Sequence, residues 1–349
     1  MQGIYGGADR QVQSSGRMNI LTRALRRLGG GHQDSAALAS EVANLRKEVR
    51  HLTSLVQEVR SSQELLPKLL GSEKNDAKWR SIFRAQMGAL LRAQYLHHRP
   101  ELTGVAGIRA RRFRLRSQNE EDGLVLAILD EAGSPTRTFV EIGSGGTGGN
   151  SAVLAYELGW RGLMIEASKN GAHVARDLFR HNPEVVVLQK FALTDNINSL
   201  ITRSGFGGEV DLLSIDVDSI DYWLFDALDV ERVRPRLIVT EYNAHFGPDR
   251  AVTLPNVPVS DTAPKPYFGA SLAAMTKVAE RKGYRLLLCE ENGINAFFLR
   301  NDLAPSLPGA TAHQAYRPMR RRLGADHDES QMDDVYALAA KHNLPLVDV

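Results

Sequence analysis

An α/β fold built on a mostly parallel sheet is what the sequence predicts for residues 109–304, and three observations predict it. Short apolar runs recur at 138–142, 162–165, 185–188, 211–217 and 237–240, separated by helix-like stretches such as 150–158 and 171–181. That alternation is the pattern of βαβ units. The runs are apolar nearly throughout, as expected of strands that helices cover on both faces. Two further runs, 285–289 and 295–299, lie too close together for a crossover helix and are expected to pair as an antiparallel hairpin at one edge.

The elements before this domain are of another kind. Residues 1–34 are rich in Gly, Ser and Gln and read as a flexible basic tail. Within it, Ile20, Leu21, Leu25 and Leu28 alternate with Arg23, Arg26 and Arg27, the composition of a short amphipathic helix lying on an anionic or membrane surface. Over 35–72, Leu38, Val42, Leu45, Val49, Leu52, Val56 and Val59 repeat at spacings of four and three. With valine at a and leucine at d, this is the seam of a parallel two-stranded coiled coil, so a homo-oligomer is expected. Pro67 interrupts the pattern, and 73–108 read as a helical linker with a helix over 77–96. Residues 109–116 hold five arginines, the composition of an edge strand or of a docking surface for phosphate groups. After the hairpin, 305–349 form an extension with a helix expected over 330–341.

Composition narrows the function. Of 349 residues, 43% are hydrophobic and 24% charged, which excludes disorder throughout. A single cysteine, Cys289, excludes an internal disulfide and a thiolate zinc site. No apolar run reaches membrane-spanning length and the first residues lack the apolar core of a secretory signal, so a cytoplasmic location is expected, with peripheral contact to the inner face of a membrane through the basic tail. Residues 1–116 carry 21 Lys/Arg against 9 Asp/Glu, and the rest 22 against 32. The basic part suits an anionic surface or acidic partner, whereas the acidic part argues against nucleic acid at the site.

The chemistry-bearing residues follow the strands. Phe139 to Ile142 run into Gly143, Gly145, Gly146, Gly148 and Gly149 and then a helix. Glycines let the backbone turn and approach a ligand closely, and the helix start offers unpaired N–H groups. Glu141, just before the first glycine, has the wrong sign for a pyrophosphate but suits a cationic ligand. Glu166, about 20 residues on, ends the second strand, where an acid accepts ribose hydroxyls. Asp216, Asp218 and Asp221, with Tyr222 and Trp223, follow the fourth strand, and Glu241, Tyr242, Asn243 and His245 follow the fifth. Carboxylates at this sheet edge lie in the ligand crevice. Asp216, Asp218 and Glu241, with His245 as a further candidate, are candidate ligands for a hard divalent cation such as Mg²⁺, and Asp218 or His245 is a candidate base toward a hydroxyl. Tyr222, Trp223, Tyr267 and Phe268 are candidate walls for a sugar ring. The long, Pro-rich 247–266 suits a loop covering an acceptor.

Taken together, Ser117 to Gly123, Val140 to Gly145, Ile165 to Ala167, Ser214 to Asp218, Thr240 to Asn243 and Tyr267 to Ser271 resemble the FkbM-type S-adenosylmethionine-dependent methyltransferases, over roughly 117–302. The resemblance implies a Rossmann-like class I sheet of seven strands with a C-terminal antiparallel hairpin, and O-methylation of a sugar or glycan-type hydroxyl. It implies that Glu141, Gly143, Gly145 and Gly148 line the methionine and ribose of S-adenosylmethionine, that Glu166 holds the ribose hydroxyls, that Ala192 lies beside adenine and that Asp216 faces the methyl donor. The family ends its fourth strand with Asp-x-Glu-Gly, whereas this chain has Asp216, Val217, Asp218 and Ser219.

Three other readings stay open at this level. Asp216-Val217-Asp218 also resembles the DxD of metal-dependent nucleotide-sugar glycosyltransferases, and Gly143-x-Gly145-x-x-Gly148 satisfies the dinucleotide fingerprint of NAD enzymes. A catalytically inactive methyltransferase fold carried on a coiled-coil assembly module is the third. The coil itself is testable: deleting residues 1–72 should lower the oligomeric mass measured by light scattering, and an unchanged mass would place the subunit contact elsewhere.

Overall fold

The computed structural model describes residues 103–145, 148–257, 266–320 and 334–349. The tail, the heptads of 35–72 and the helix expected over 77–96 lie outside the described residues. Two helices, α1 (Gly104–Ala110) and α2 (Glu121–Ala132), lead into the sheet. There follow β1 (Thr138–Ile142), α3 (Ala152–Glu157), β2 (Arg161–Glu166), α4 (Lys169–Leu178), β3 (Val185–Gln189), α5 (Ile197–Ile201), β4 (Gly208–Ile215), α6 (Asp221–Ala227) and β5 (Val233–Glu241). Beyond these come β6 (Val252–Thr253), α7 (Leu272–Arg281), β7 (Tyr284–Cys289), β8 (Asn295–Arg300), α8 (Ala312–Ala315), α9 (Val335–His342) and β9 (Val347–Asp348).

Seven strands form one sheet in the order β3-β2-β1-β4-β5-β8-β7. The first five pair in parallel, while β8 runs antiparallel between β5 and β7. This is the Rossmann-like sheet with an edge hairpin that the apolar runs predict. Alternate residues of the same strands supply its two apolar layers. Val140, Leu213 and Ile238 pack with Ile201, Phe225 and Met275 of α5, α6 and α7. Phe139, Leu212 and Val239 pack on the other face with Leu124, Ile128 and Leu154 of α2 and α3. Burial on both faces is why these strands read as continuous apolar runs.

Most element limits differ from the sequence reading by a few residues, and two of the differences have a clear local reason. β4 stops at Ile215 and not at Val217, because Asp216 donates its N–H to the carbonyl of Ile142 (2.9 Å) and the next residues turn onto Asp221. β5 starts at Val233 in spite of Pro235, since β8 pairs with β5 only from Leu237 onward, so the proline interrupts no ladder on that side.

The arginine run is no edge strand. Arg109 lies in α1, and the segment after it arches over the start of α2, where Asp122 accepts the N–H groups of Leu115, Arg116 and Ser117. Arg111 pairs with Asp130 and Glu131, Arg112 with Glu120, and Arg116 with Glu157. These side chains bind the arch to the protein's own carboxylates.

The C-terminal extension packs on the loops that leave β5. β9 pairs antiparallel with β6, and Tyr316 and Tyr336 donate to the carbonyls of Ala244 and Phe246. The helix expected over 330–341 is described from Val335, its N–H groups capped by Asp334; residues 330–333 lie outside the described residues. Among the described residues no helix is long and apolar enough to cross a membrane.

One contact is sensitive to a single methyl group. Gly162 stands directly opposite Phe139 in the β1–β2 ladder, and a Cβ there would run into the fully buried Phe139 ring. Gly162→Ala should therefore destabilise the domain by about 1–3 kcal/mol, read as a lowered thermal midpoint. An unchanged midpoint would mean that the ring has room to move.

Candidate functional site

The strand order reverses between β1 and β4, and ligands of open α/β sheets bind at the C-terminal strand ends beside such a reversal. Here the segments leaving the two strands touch. Gly143 has φ 86°, and a Cβ on it would overlap the carbonyl oxygen of Asp216. Glycine at 143 is thus required twice, for its left-handed backbone and for the close approach of the two strand ends. Gly145 and Gly148, at φ 54° and 91°, continue the turn, and Gly148 donates to the carbonyl of Ser144 (3.0 Å). Residues 146 and 147 lie outside the described residues.

Glu141 lies beneath this loop, fully buried. Its carboxylate accepts the N–H of Ser151 (2.9 Å) and that of Asn150 (3.3 Å), the first residues of the turn that opens α3. Gly149 packs so closely on the carboxylate that a Cβ would overlap it. Burial pushes the Glu141 carboxyl up to about 7, against hydrogen bonds from Ser151 and Ser214 that favour the charged form. Asn150 extends the connection to β4 by donating to Ser214 Oγ (3.1 Å). Glu141 therefore shapes the glycine loop from within and contributes no open edge to the crevice.

Glu166 is the acid that joins the second strand end to the loop. Oε2 accepts from the N–H of Gly145 (2.9 Å), and Oε1 from the N–H of Ser168 (2.7 Å). Ser168 caps α4, whose first turn therefore begins at Lys169, earlier than the expected 171. Ala192 is buried just after β3, beside Phe191, which is 64% exposed. Asn196 ties this loop by accepting from the N–H of Leu193 (2.9 Å) and donating to the carbonyl of Phe191 (3.0 Å).

The acids after β4 divide by task. Asp221 is buried and accepts the N–H groups of Val217 (2.8 Å) and Ser219 (2.9 Å), which makes it an anchor of the loop and not a crevice ligand. Burial, with the charge of Asp218 nearby, pushes its carboxyl up to about 7. Asp218 is exposed and held at φ 57°, a left-handed conformation that costs a non-glycine residue free energy. Asp216 is half-buried and Glu241 buried, and carboxylate oxygens of Asp216, Asp218 and Glu241 lie within 4.8 Å of one another. Three hard oxygen donors gathered in this way fit a divalent cation such as Mg²⁺. His245 is outside that group, in the short turn Ala244–Phe246, its N–H bound to Asn243 Oδ1 (2.9 Å).

Two of the aromatic residues expected to wall an acceptor are core instead. Tyr222 is buried, stacked edge-on against Trp223 with its hydroxyl accepting from Arg281. Tyr267 is buried and donates to the carbonyl of Pro345. Sequence reasoning missed the residues that hold loops: Asn150, Ser214, Asn243 and Asp221 in that role. Asn243 Nδ2, for instance, donates to the carbonyls of Pro266 (2.7 Å) and Phe268 (2.9 Å), bracing the far end of the 247–266 connection. The one available signal was the recurrence of Asn and Asp a few residues past each strand end.

No family model matches the chain, and no curated protein matches it. Among solved structures, the N-terminal domain of EvdMO1 in the presence of SAH and D-fucose is similar at 15% identity, over 51% of this chain and 80% of that one, with a TM-score of 0.35. The methyltransferase domain of bacterial CtHen1-C is similar at 16% identity, over 52% and 97%, also at 0.35. The METTL16 MTase domain is similar at 14% identity, over 51% and 66%, again at 0.35. Likeness this remote assigns no chemistry to the chain, which has to come from the crevice itself.

The buried acids set a pH dependence. Glu141, Asp221 and Glu290 are each raised to about 7, chiefly by burial. Each therefore binds more proton in the folded than in the unfolded chain between its ordinary carboxylate range and about pH 7, so stability falls as pH rises through that window and levels off above it. The thermal midpoint should be higher at pH 6 than at pH 8. A midpoint that rises over this interval would contradict these assignments.

Proposed function

We propose that the chain is an S-adenosylmethionine-dependent methyltransferase of the FkbM type that methylates a hydroxyl of a sugar or glycan-type acceptor. The observation that carries the reading is the engagement of Glu141 with the N–H groups of Asn150 and Ser151. In a dinucleotide site those helix-start donors bind pyrophosphate. Here the protein's own carboxylate takes them, which leaves a glycine loop suited to a ligand without phosphate and with cationic groups. S-adenosylmethionine, with its ammonium and sulfonium, is such a ligand.

In this reading Gly143, Gly145 and Gly148, shaped by Glu141, border the methionine and ribose. Glu166 accepts the ribose hydroxyls while retaining Gly145, Ala192 lies against adenine, and Asp216 faces the sulfonium. The bound cofactor supplies an electrophilic methyl group. The chain's residues place the acceptor oxygen in line with it and accept the hydroxyl proton, since transfer between two aligned reactants requires mainly orientation. Asp218, exposed on the crevice, or His245 takes that proton. Asp216, Asp218 and Glu241 would hold Mg²⁺, whose role would be to bind the acceptor oxygen and ease loss of its proton. This arrangement favours the enzyme over the assembly-module reading, because acids gathered at a crevice repel one another and stabilise no core.

Calorimetric titration with S-adenosylhomocysteine tests the reading. Micromolar binding is expected, and Glu166→Ala should weaken it about tenfold or more, the scale of a hydrogen-bonded charged group, with the domain still folded though its thermal midpoint is lowered by loss of the loop contacts. Absence of binding, or preference for a nucleotide-sugar with Mg²⁺, would overturn it in favour of the glycosyltransferase reading.

A further inference from the structure

The turn between β7 and β8 lies at the same sheet edge as the crevice, because β8 begins at Asn295 opposite Glu241, the last residue of β5. On this turn Glu291 receives two arginines from distant segments. Arg109, from α1, donates through Nη1 to Oε1, and Arg317, from the segment after α8, donates through Nε to Oε2 (3.3 Å). One carboxylate thus stands between two guanidinium groups, and their mutual repulsion lowers the Arg109 pKa further than burial alone does.

Neither guanidinium is used up by this contact. Arg317 also donates through Nη1 to the carbonyl of Tyr316 (2.9 Å). The side chains of Arg109 and Arg317 keep 20% and 26% of their surface open to solvent, and a guanidinium carries five N–H donors, more than the bonds named here occupy. Arg112 lies alongside, its Nη1 on the carbonyl of Arg109 and its Nε paired with Glu120, and exposed Arg320 anchors its N–H on the carbonyl of Asn292 in the turn. Arg109, Arg112 and Arg317 therefore meet two surface carboxylates, Glu291 and Glu120, here. The acids beneath are directed inward: Glu290 accepts from the N–H groups of Asn292 and Ile294, and Glu121 from Asn119 and the Asn295 amide.

We propose that Arg109 and Arg317 form a binding site for a phosphoryl group, and that the acceptor methylated in the neighbouring crevice is a phosphorylated sugar. The identification of the ligand as the acceptor rests on the methyltransferase reading; the anion site does not. Guanidinium forks match phosphate oxygens in geometry and charge, and the local excess of positive charge suits a dianion. The spacing fits as well. Arg317 follows Tyr316, which holds the turn of His245, and its N–H and carbonyl both bond the hydroxyl of Tyr242, next to Glu241. One to two strand spacings, about 5–10 Å, separate the end of β5 from the β7–β8 turn. A sugar with its hydroxyl at the carboxylate group and its phosphate at the arginines would bridge that interval.

The test is calorimetric titration of the full chain with glucose 1-phosphate, in the presence and absence of S-adenosylhomocysteine, with glucose as the uncharged control. The wild-type protein should bind the phosphate ester and not glucose, with affinity falling as salt rises. Arg317→Gln and Arg109→Gln should each weaken binding about tenfold, whereas Arg180→Gln, at a remote exposed pair, should not. Glu291→Gln removes the competing carboxylate and should tighten binding, which decides the matter if either arginine variant fails to fold. No binding by the wild type, equal binding by the arginine variants, or weaker binding by Glu291→Gln would overturn the site. Binding of S-adenosylhomocysteine without the phosphate ester would remove this site and leave the methyltransferase reading intact; the reverse result would remove that reading and keep the anion site.

Discussion

The crevice depends on one buried carboxylate. Glu141, next to last in β1, lies inside the protein, away from water, and its oxygens take the N–H groups that open the following helix. An unbonded carboxylate there would be costly, and so would N–H groups left unbonded in the interior. Each solves the problem of the other. The glycines complete the arrangement, since only residues without side chains leave room for the carboxylate below the loop and for Asp216 beside it. A helix start bonded in this way is satisfied before any ligand arrives: its N–H groups are already matched by the carboxylate.

The same device recurs along the sheet edge. Asp221 holds the loop after β4, Glu166 joins the loops after β1 and β2, and Asp122 holds the arch before α2, each by accepting backbone N–H groups. Acids in an α/β crevice thus divide into those that accept from the backbone and those that face the opening. Asp216, Asp218 and Glu241 gather at the point where the two halves of the sheet meet. The residues proposed for the cofactor lie to one side, at the ends of β1, β2 and β3, and Arg109 and Arg317, which meet on Glu291 of the β7–β8 turn, to the other.

The strand pattern was legible in the sequence because burial on both faces requires continuous apolar residues, and β1 matches its expected limits to the residue. The hairpin was legible because its two strands are separated by too few residues for a helix. The arginine run misled because repeated charge reads alike whether it faces solvent or the protein's own acids; its partners Glu157, Asp130 and Glu131 are 19 to 41 residues away and belong to helices whose packing the run itself does not encode. Tyr222 and Tyr267 misled for a similar reason, since an aromatic ring near a strand end suits a core as well as a ligand wall. Acids were found readily, but their division into anchors and crevice groups depends on which backbone N–H groups come within about 3 Å, and that is set by the fold of the loops.

The helix start behind the glycine loop is already occupied by Glu141, so the proposed cofactor at that loop is one without phosphate. Amide resonances observed during ligand addition test it most directly. With S-adenosylhomocysteine, the amide of Gly145 should shift while those of Asn150 and Ser151 stay nearly fixed, and NAD should move none of the three. Large shifts of Asn150 and Ser151 on adding NAD would show that those donors are available to pyrophosphate, and would contradict the account.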